Sequence, residues 1–123
     1  MKLFSLVLLL LLSGLIFISC DSATESKYTS TIEPPSLLSP ADKDSMVSLT
    51  PTFKWSGTAN KLQIGSNPTF STIIKSVDVT GNEYTLPAGI LYHGQWYYWR
   101  AAQISGGNTY WSTMIFGFRT KPN

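Results

Sequence analysis

From Ser36 onward, apolar and polar residues alternate, and turn-forming residues break the alternation about every eight to twelve positions. That rhythm predicts an all-β sandwich, with residues 36–123 as one domain. Leu37 and Leu38, between Pro35 and Pro40, read as a short edge strand, where proline costs no ladder bond. Leu49, Pro51, Phe53 and Trp55 alternate with Thr50, Thr52 and Lys54, which puts Phe53 and Trp55 on a core face. Lys61 to Ile64 supplies the next strand, with Leu62 and Ile64 inward. Ile73 to Val79 follows, closed by Thr80-Gly81-Asn82, and Tyr84 with Leu86 marks another strand before Pro87. A long strand runs from Trp96 to Ile104, and Gly106-Gly107-Asn108 turns it into a final strand carrying Met114, Phe116 and Phe118 on one face. No stretch beyond residue 35 has helical periodicity.

The first part of the chain is patterned differently. Met1-Lys2 precedes an apolar run from Leu3 to Ile18, after which Ser19 and Cys20 lead abruptly into polar sequence. A run of this length is compatible with a short uncleaved membrane anchor. The placement of the only cysteine at its end favours a signal peptide over residues 1–19. Phe17-Ile18-Ser19-Cys20 resembles the bacterial lipobox, in which the cysteine is lipid-modified on sulfur, the segment before it is removed, and the new amino terminus is acylated, typically with palmitate. The resemblance implies lipidation at Cys20 and an extracytoplasmic position in a bacterial cell envelope, on either the inner or the outer membrane. An exported domain with a lone cysteine cannot be built on disulfides. Residues 20–35 are polar, lack apolar periodicity and end in Pro34-Pro35, the composition of a flexible tether spanning roughly 20 Å.

Composition narrows the picture further. Aromatic residues make up 13% of the chain, as much as all charged residues together, and they concentrate after Phe53. That balance favours a folded, aromatic-rich domain over disorder. Net charge is +2, and Lys54, Lys61, Lys75, Arg100, Arg119 and Lys121 are scattered singly rather than gathered into a stripe, so nucleic acid is not an expected partner.

Several segments of this domain, taken in order, resemble the fibronectin type III pattern. They are Pro35-Ser-Leu-Leu-Ser-Pro40, Pro51-Thr-Phe-Lys-Trp55, Leu62-Gln-Ile64, Leu91-Tyr-His-Gly-Gln-Trp-Tyr-Tyr-Trp-Arg100, Trp111-Ser112 and Phe116-Gly-Phe118. The resemblance spans about Pro35 to Lys121 and implies a seven-stranded, immunoglobulin-like sandwich. It also implies a tyrosine-corner role for Tyr97, with its ring in the core and its hydroxyl returned to backbone near Leu91, and a central core position for Trp55. Ala101 stands where that family usually carries a bulkier valine, leaving room for Trp99 beside it. The expected core is Phe53, Trp55, Leu62, Ile64, Tyr84, Tyr97, Trp99, Phe116 and Phe118.

Reaction chemistry has little to work with. His93, the only histidine, has no evident Ser or Cys nucleophile to activate and is too few ligands for a metal. Asp42-Lys43-Asp44 lacks the six to eight oxygens and the bend glycine of a calcium loop. Asp78 and Glu83 flank a turn, and nothing places either carboxyl in the apolar pocket that a general acid needs. The expectation is a non-enzyme without cofactor or metal. Alternation along the long strand turns Trp96, Tyr98 and Arg100 outward, with Tyr92 and Trp111 flanking, and Arg100 within reach of the Trp111 ring. These five residues form the candidate binding surface, for a protein partner or, alternatively, for a glycan. Simple cross-strand cover of the sheet face is the competing role.

Overall fold

A computed structural model describes residues 31–123. The signal peptide, Cys20 and the tether up to residue 30 lie outside the described residues. Among the described residues there are nine strands and no helix: β1 (Ser36–Ser39), β2 (Asp44–Val47), β3 (Thr52–Ser56), β4 (Lys61–Gly65), β5 (Ile73–Asp78), β6 (Glu83–Thr85), β7 (Trp96–Ser105), β8 (Asn108–Trp111) and β9 (Phe116–Thr120). They form a small sheet of order β1-β3-β6 and a larger one of order β2-β9-β7-β4-β5, with β8 also paired to β7. β1 is an edge strand, as its flanking prolines predict.

The inner faces meet through aromatic rings. Phe53 of β3 packs edge-on against Trp99 of β7 at 5.0 Å and against Phe118 of β9 at 5.9 Å. Such pairs add about 0.5–1.5 kcal/mol beyond the area they bury. Phe53, Trp55, Leu62, Ile64, Tyr97, Trp99 and Phe118 are buried, and Tyr84 and Phe116 are half-buried against them. The small side chain of Ala101, itself fully buried, follows Trp99 on the inward face. Two polar links tie the rings to backbone. The Trp99 indole N–H donates to the Pro40 carbonyl at 3.1 Å, and the Tyr97 hydroxyl accepts from the Tyr92 N–H at 2.9 Å. By contrast, the buried indole nitrogen of Trp55 has no partner among the described residues.

Turn chemistry sets the registers. Gly106 and Gly107 join β7 to β8 as a two-residue hairpin with φ of 60° and 82°. A tight turn of that hand needs positive φ at both positions, which glycine adopts without steric cost. Asn60, just before β4, substitutes its side chain for a further ladder rung. Its amide donates to the Ile104 carbonyl at 3.0 Å, and its oxygen accepts from the Ile104 N–H at 2.8 Å.

Two expectations change. The alternation predicts no strand between Pro40 and Leu49, yet β2 lies there and runs parallel to β9. The final strand is not continuous. It breaks into β8 and β9 because Ser112 turns its hydroxyl back to the Met114 carbonyl at 2.9 Å, and pairing resumes only at Phe116 opposite Trp99. Met114, expected beside Phe116 and Phe118, lies in this break and is 58% exposed.

Candidate functional site

The outer face of the larger sheet is built by the residues that alternate with the core set. Along β7 these are Trp96, Tyr98, Arg100 and Ala102. Their ladder neighbours form rows across the sheet. Tyr98 lies between Gly65 and Gly117, and Arg100 lies beside Gln63. Ala102 lies between Lys61 and Trp111 and is fully buried despite facing outward. One half of this face is therefore covered by its own side chains.

Arg100 organises that half. Its guanidinium lies 3.8 Å from the Trp111 ring centroid and 4.2 Å from that of Phe70, so the cation is held between two π faces. Nε and a terminal nitrogen both donate to the Gln63 side-chain oxygen, at 3.1 and 2.8 Å. Desolvation lowers the guanidinium pKa, and the group still stays cationic near neutrality. Phe70 reaches this position from the loop between β4 and β5, where its backbone takes a φ of 56°, unusual for a bulky residue. Asn67 braces the loop, accepting from the Thr69 hydroxyl at 2.8 Å and from the Ser71 N–H at 3.2 Å. Gly65 is what admits the ring, since a Cβ there would stand 2.9 Å from Phe70 Cδ1.

The other half of the face is more open. Trp96 is 44% exposed, and the Tyr98 ring rests against Gly117, where a Cβ would stand 2.8 Å from Tyr98 Cε1. Across β9 from these rings, the loop entering β2 clamps Gly117 from the opposite side. Asp42 Oδ1 accepts from the Gly117 N–H at 2.9 Å, and the Lys43 N–H donates to the Gly117 carbonyl at 2.6 Å. Asp42, Lys43, Trp96, Tyr98 and Gly117 thereby line a cleft of about 260 Å³.

The Gly117 hydrogen bond is the main cause holding the Asp42 carboxyl below its usual pKa. The contribution of ionised Asp42 to the β2–β9 edge is present above the ordinary Asp value, about 3.9, and is lost as pH falls through the lowered native value. The protection of the Gly117 amide, its exchange rate taken relative to the intrinsic rate at each pH, is expected to fall on acidification from about pH 5 to about pH 2 in the wild-type protein. The fall should be much smaller in Asp42→Asn. An equal fall in both proteins would remove Asp42 from this role.

Of the five surface residues expected from sequence, Trp96, Tyr98, Arg100 and Trp111 come together on one face. Tyr92 does not; it sits in the turn before β7, 73% exposed, with its carbonyl accepting from the Thr120 hydroxyl at 2.6 Å. Sequence reasoning missed Phe70, Gln63, Gly117 and the docking of Asp42. The legible signals were Gly65 and Gly117, since glycine inside a strand marks close approach by another group. His93 lies in an exposed turn with Nδ1 3.1 Å from the Lys121 carbonyl, and Asp78 pairs with Lys61 at 2.8 Å. Among the described residues no three His, Cys, Asp or Glu side chains cluster as a metal site.

Fold and face together define an all-β, two-sheet protein whose larger sheet carries an aromatic outer surface. No protein-family model matches the chain, and neither curated proteins nor solved structures yield a match.

Proposed function

We propose that the chain is a bacterial-type lipoprotein, anchored to a cell-envelope membrane through Cys20, whose single fibronectin type III-like domain is a protein-binding module. The lipobox resemblance at Phe17 to Cys20 supports the anchor. The family reading is supported by the strand order β1-β3-β6 over β9-β7-β4-β5 and by the Tyr97 hydroxyl bonded to the Tyr92 backbone. Counting β8 and β9 as one interrupted strand, and β2 as an extension of the first, reduces nine strands to the seven of that family. The reading assigns no catalytic step and no cofactor.

The observation that carries the binding function is the outer face of the larger sheet. Trp96 and Tyr98 share this face with Arg100, which Trp111 covers, and the break between β8 and β9 exposes Met114 and Ile115. An exposed Trp96 and a half-buried Tyr98 with exposed aliphatic side chains on the same sheet, near the Lys61–Asp78 pair, is the composition of an interface centre. A photo-crosslinking residue placed at Ile115 in living cells is expected to give one discrete protein adduct. The same residue at the exposed Lys54 on the small sheet is expected to give none. Cys20→Ser in parallel should abolish incorporation of labelled palmitate into the protein. No adduct from Ile115, or the same adducts from both positions, would overturn the protein-binding reading, and palmitate labelling undiminished in Cys20→Ser would overturn the lipid anchor.

The cleft at Gly117 favours a second reading, carbohydrate binding by the same face. Its aromatic side is open rather than covered, unlike the half around Arg100.

A further inference from the structure

Most aromatic side chains of the outer face are engaged. Phe70 fills the space over Gly65, and Trp111 and Phe70 enclose the Arg100 guanidinium. Along β9 the Tyr98 ring rests on Gly117 in the same way, but beside it Trp96 is 44% exposed and a cleft stays open between these rings and the loop entering β2. The strand order β2-β9-β7 puts Trp96 and Tyr98 on one side of that cleft and Asp42 and Lys43 on the other. One wall is aromatic and the other is polar. We infer that this cleft is a subsite for one uncharged pyranose ring, an inference that rests on the carbohydrate reading.

Three properties select that ligand class. The volume of about 260 Å³ lies just under the roughly 300 Å³ at which pockets for drug-sized molecules begin, so the cleft takes a single ring-sized unit. A pyranose is itself two-sided. Its C–H groups form an apolar face that suits the electron-rich face of an aromatic ring, and its hydroxyls project at the rim. The polar wall offers one acceptor and one donor to those hydroxyls. Asp42 Oδ1 is committed to Gly117, but Oδ2 meets only the Lys43 ammonium, at 3.4 Å. That pair is long and the lysine is 85% exposed, so hydroxyl groups displace it at little cost.

Charge excludes the nearest rivals. An aromatic wall with a lone carboxylate would suit a quaternary ammonium group, and one with a lone ammonium would suit an acidic sugar. Here one carboxylate and one ammonium stand side by side, and neither a cation nor an anion gains from the pair. A hydroxyl, which both donates and accepts, uses both.

The test titrates detergent-solubilised full-length protein with neutral mono- and disaccharides, with sodium glucuronate and with tetramethylammonium chloride, following amide and indole NMR shifts. A glycan array is run alongside. A neutral sugar is expected to bind with a dissociation constant on the order of 1 mM, as befits a small open cleft. Shifts should centre on Gly117 and the Trp96 indole. Gly117→Ala, whose Cβ displaces the Tyr98 ring towards the cleft, should weaken binding at least about tenfold while its amide spectrum keeps the dispersion of the folded protein. Trp96→Ala, at an exposed position, should weaken it similarly and guards against misfolding of the glycine variant. If neither the array nor the titration detects any saccharide, the carbohydrate reading falls and the subsite with it. If a sugar binds but its shifts centre on Trp111 and Ile115, and both variants bind normally, the subsite alone is overturned. Tighter binding of glucuronate or tetramethylammonium than of every neutral sugar would also overturn it.

Discussion

Trp99→Ala is expected to destabilise the domain by about 3–5 kcal/mol, the range for removing a large aromatic side chain from a close-packed core. Trp99 is fully buried, packs against Phe53 from the opposite sheet and meets Phe116 edge-on at 6.2 Å. Removing it opens a cavity where the two sheets touch and strips the Pro40 carbonyl of its only described donor. Total stabilities of small domains run to about 5–15 kcal/mol, so the loss is a large share and leaves a marginal fold. The two indoles of the core make a sharper comparison. Trp99→Phe keeps most of the apolar filling but leaves a buried carbonyl unpaired, at about 1–3 kcal/mol. Trp55→Phe removes a donor that already lacks a partner, so its loss should be clearly smaller. Urea unfolding of the three variants measures all of this, and equal losses for the two Phe substitutions would refute the part assigned to the Pro40 bond.

Arg100→Ala should cost about 2 kcal/mol of stability, even though the residue faces away from the core. Each cation–π contact contributes about 0.5–1 kcal/mol where partly exposed, and the paired bonds to Gln63 add roughly another 1 kcal/mol. The loop holding Phe70 loses its anchor as well, so amides 66–72 should exchange faster while those of β4 keep their protection. Arg100→Lys should recover little, because an ammonium cannot lie flat between two rings or offer a fork to one oxygen. Full recovery by lysine, or a loss below about 0.5 kcal/mol for alanine, would show that the stack is ornamental. The result bears on function too. A residue that this face spends on holding itself together is a poor choice for the first contact with a ligand, which shifts attention towards Trp96, Tyr98 and the β8–β9 break.

Much of the architecture was legible because it rests on local rules. Period-two alternation from Phe53 to Trp55, Leu62 to Ile64 and Tyr97 to Trp99 separates inward from outward side chains whatever the neighbouring strand is. Gly106-Gly107 announced its hairpin for the same reason, since positive φ at two successive residues is a demand few others meet. The outward set on β7 was readable in identity, and so was the approach of Arg100 to Trp111, which needs only adjacent strands.

The sequence by itself determined an all-β domain after residue 35, its inward aromatic set, its main turns and the outward row on β7, because each follows from backbone geometry over a few residues. Only the tertiary structure decided where the final strand breaks, that Phe70 folds over Gly65 to close the Arg100 stack, and that Asp42 and Lys43 clamp Gly117 and wall a cleft. Those outcomes depend on which segments, distant along the chain, are brought to the same rung. Asp42 and Gly117 meet across 75 positions, and no periodicity in either neighbourhood encodes that meeting.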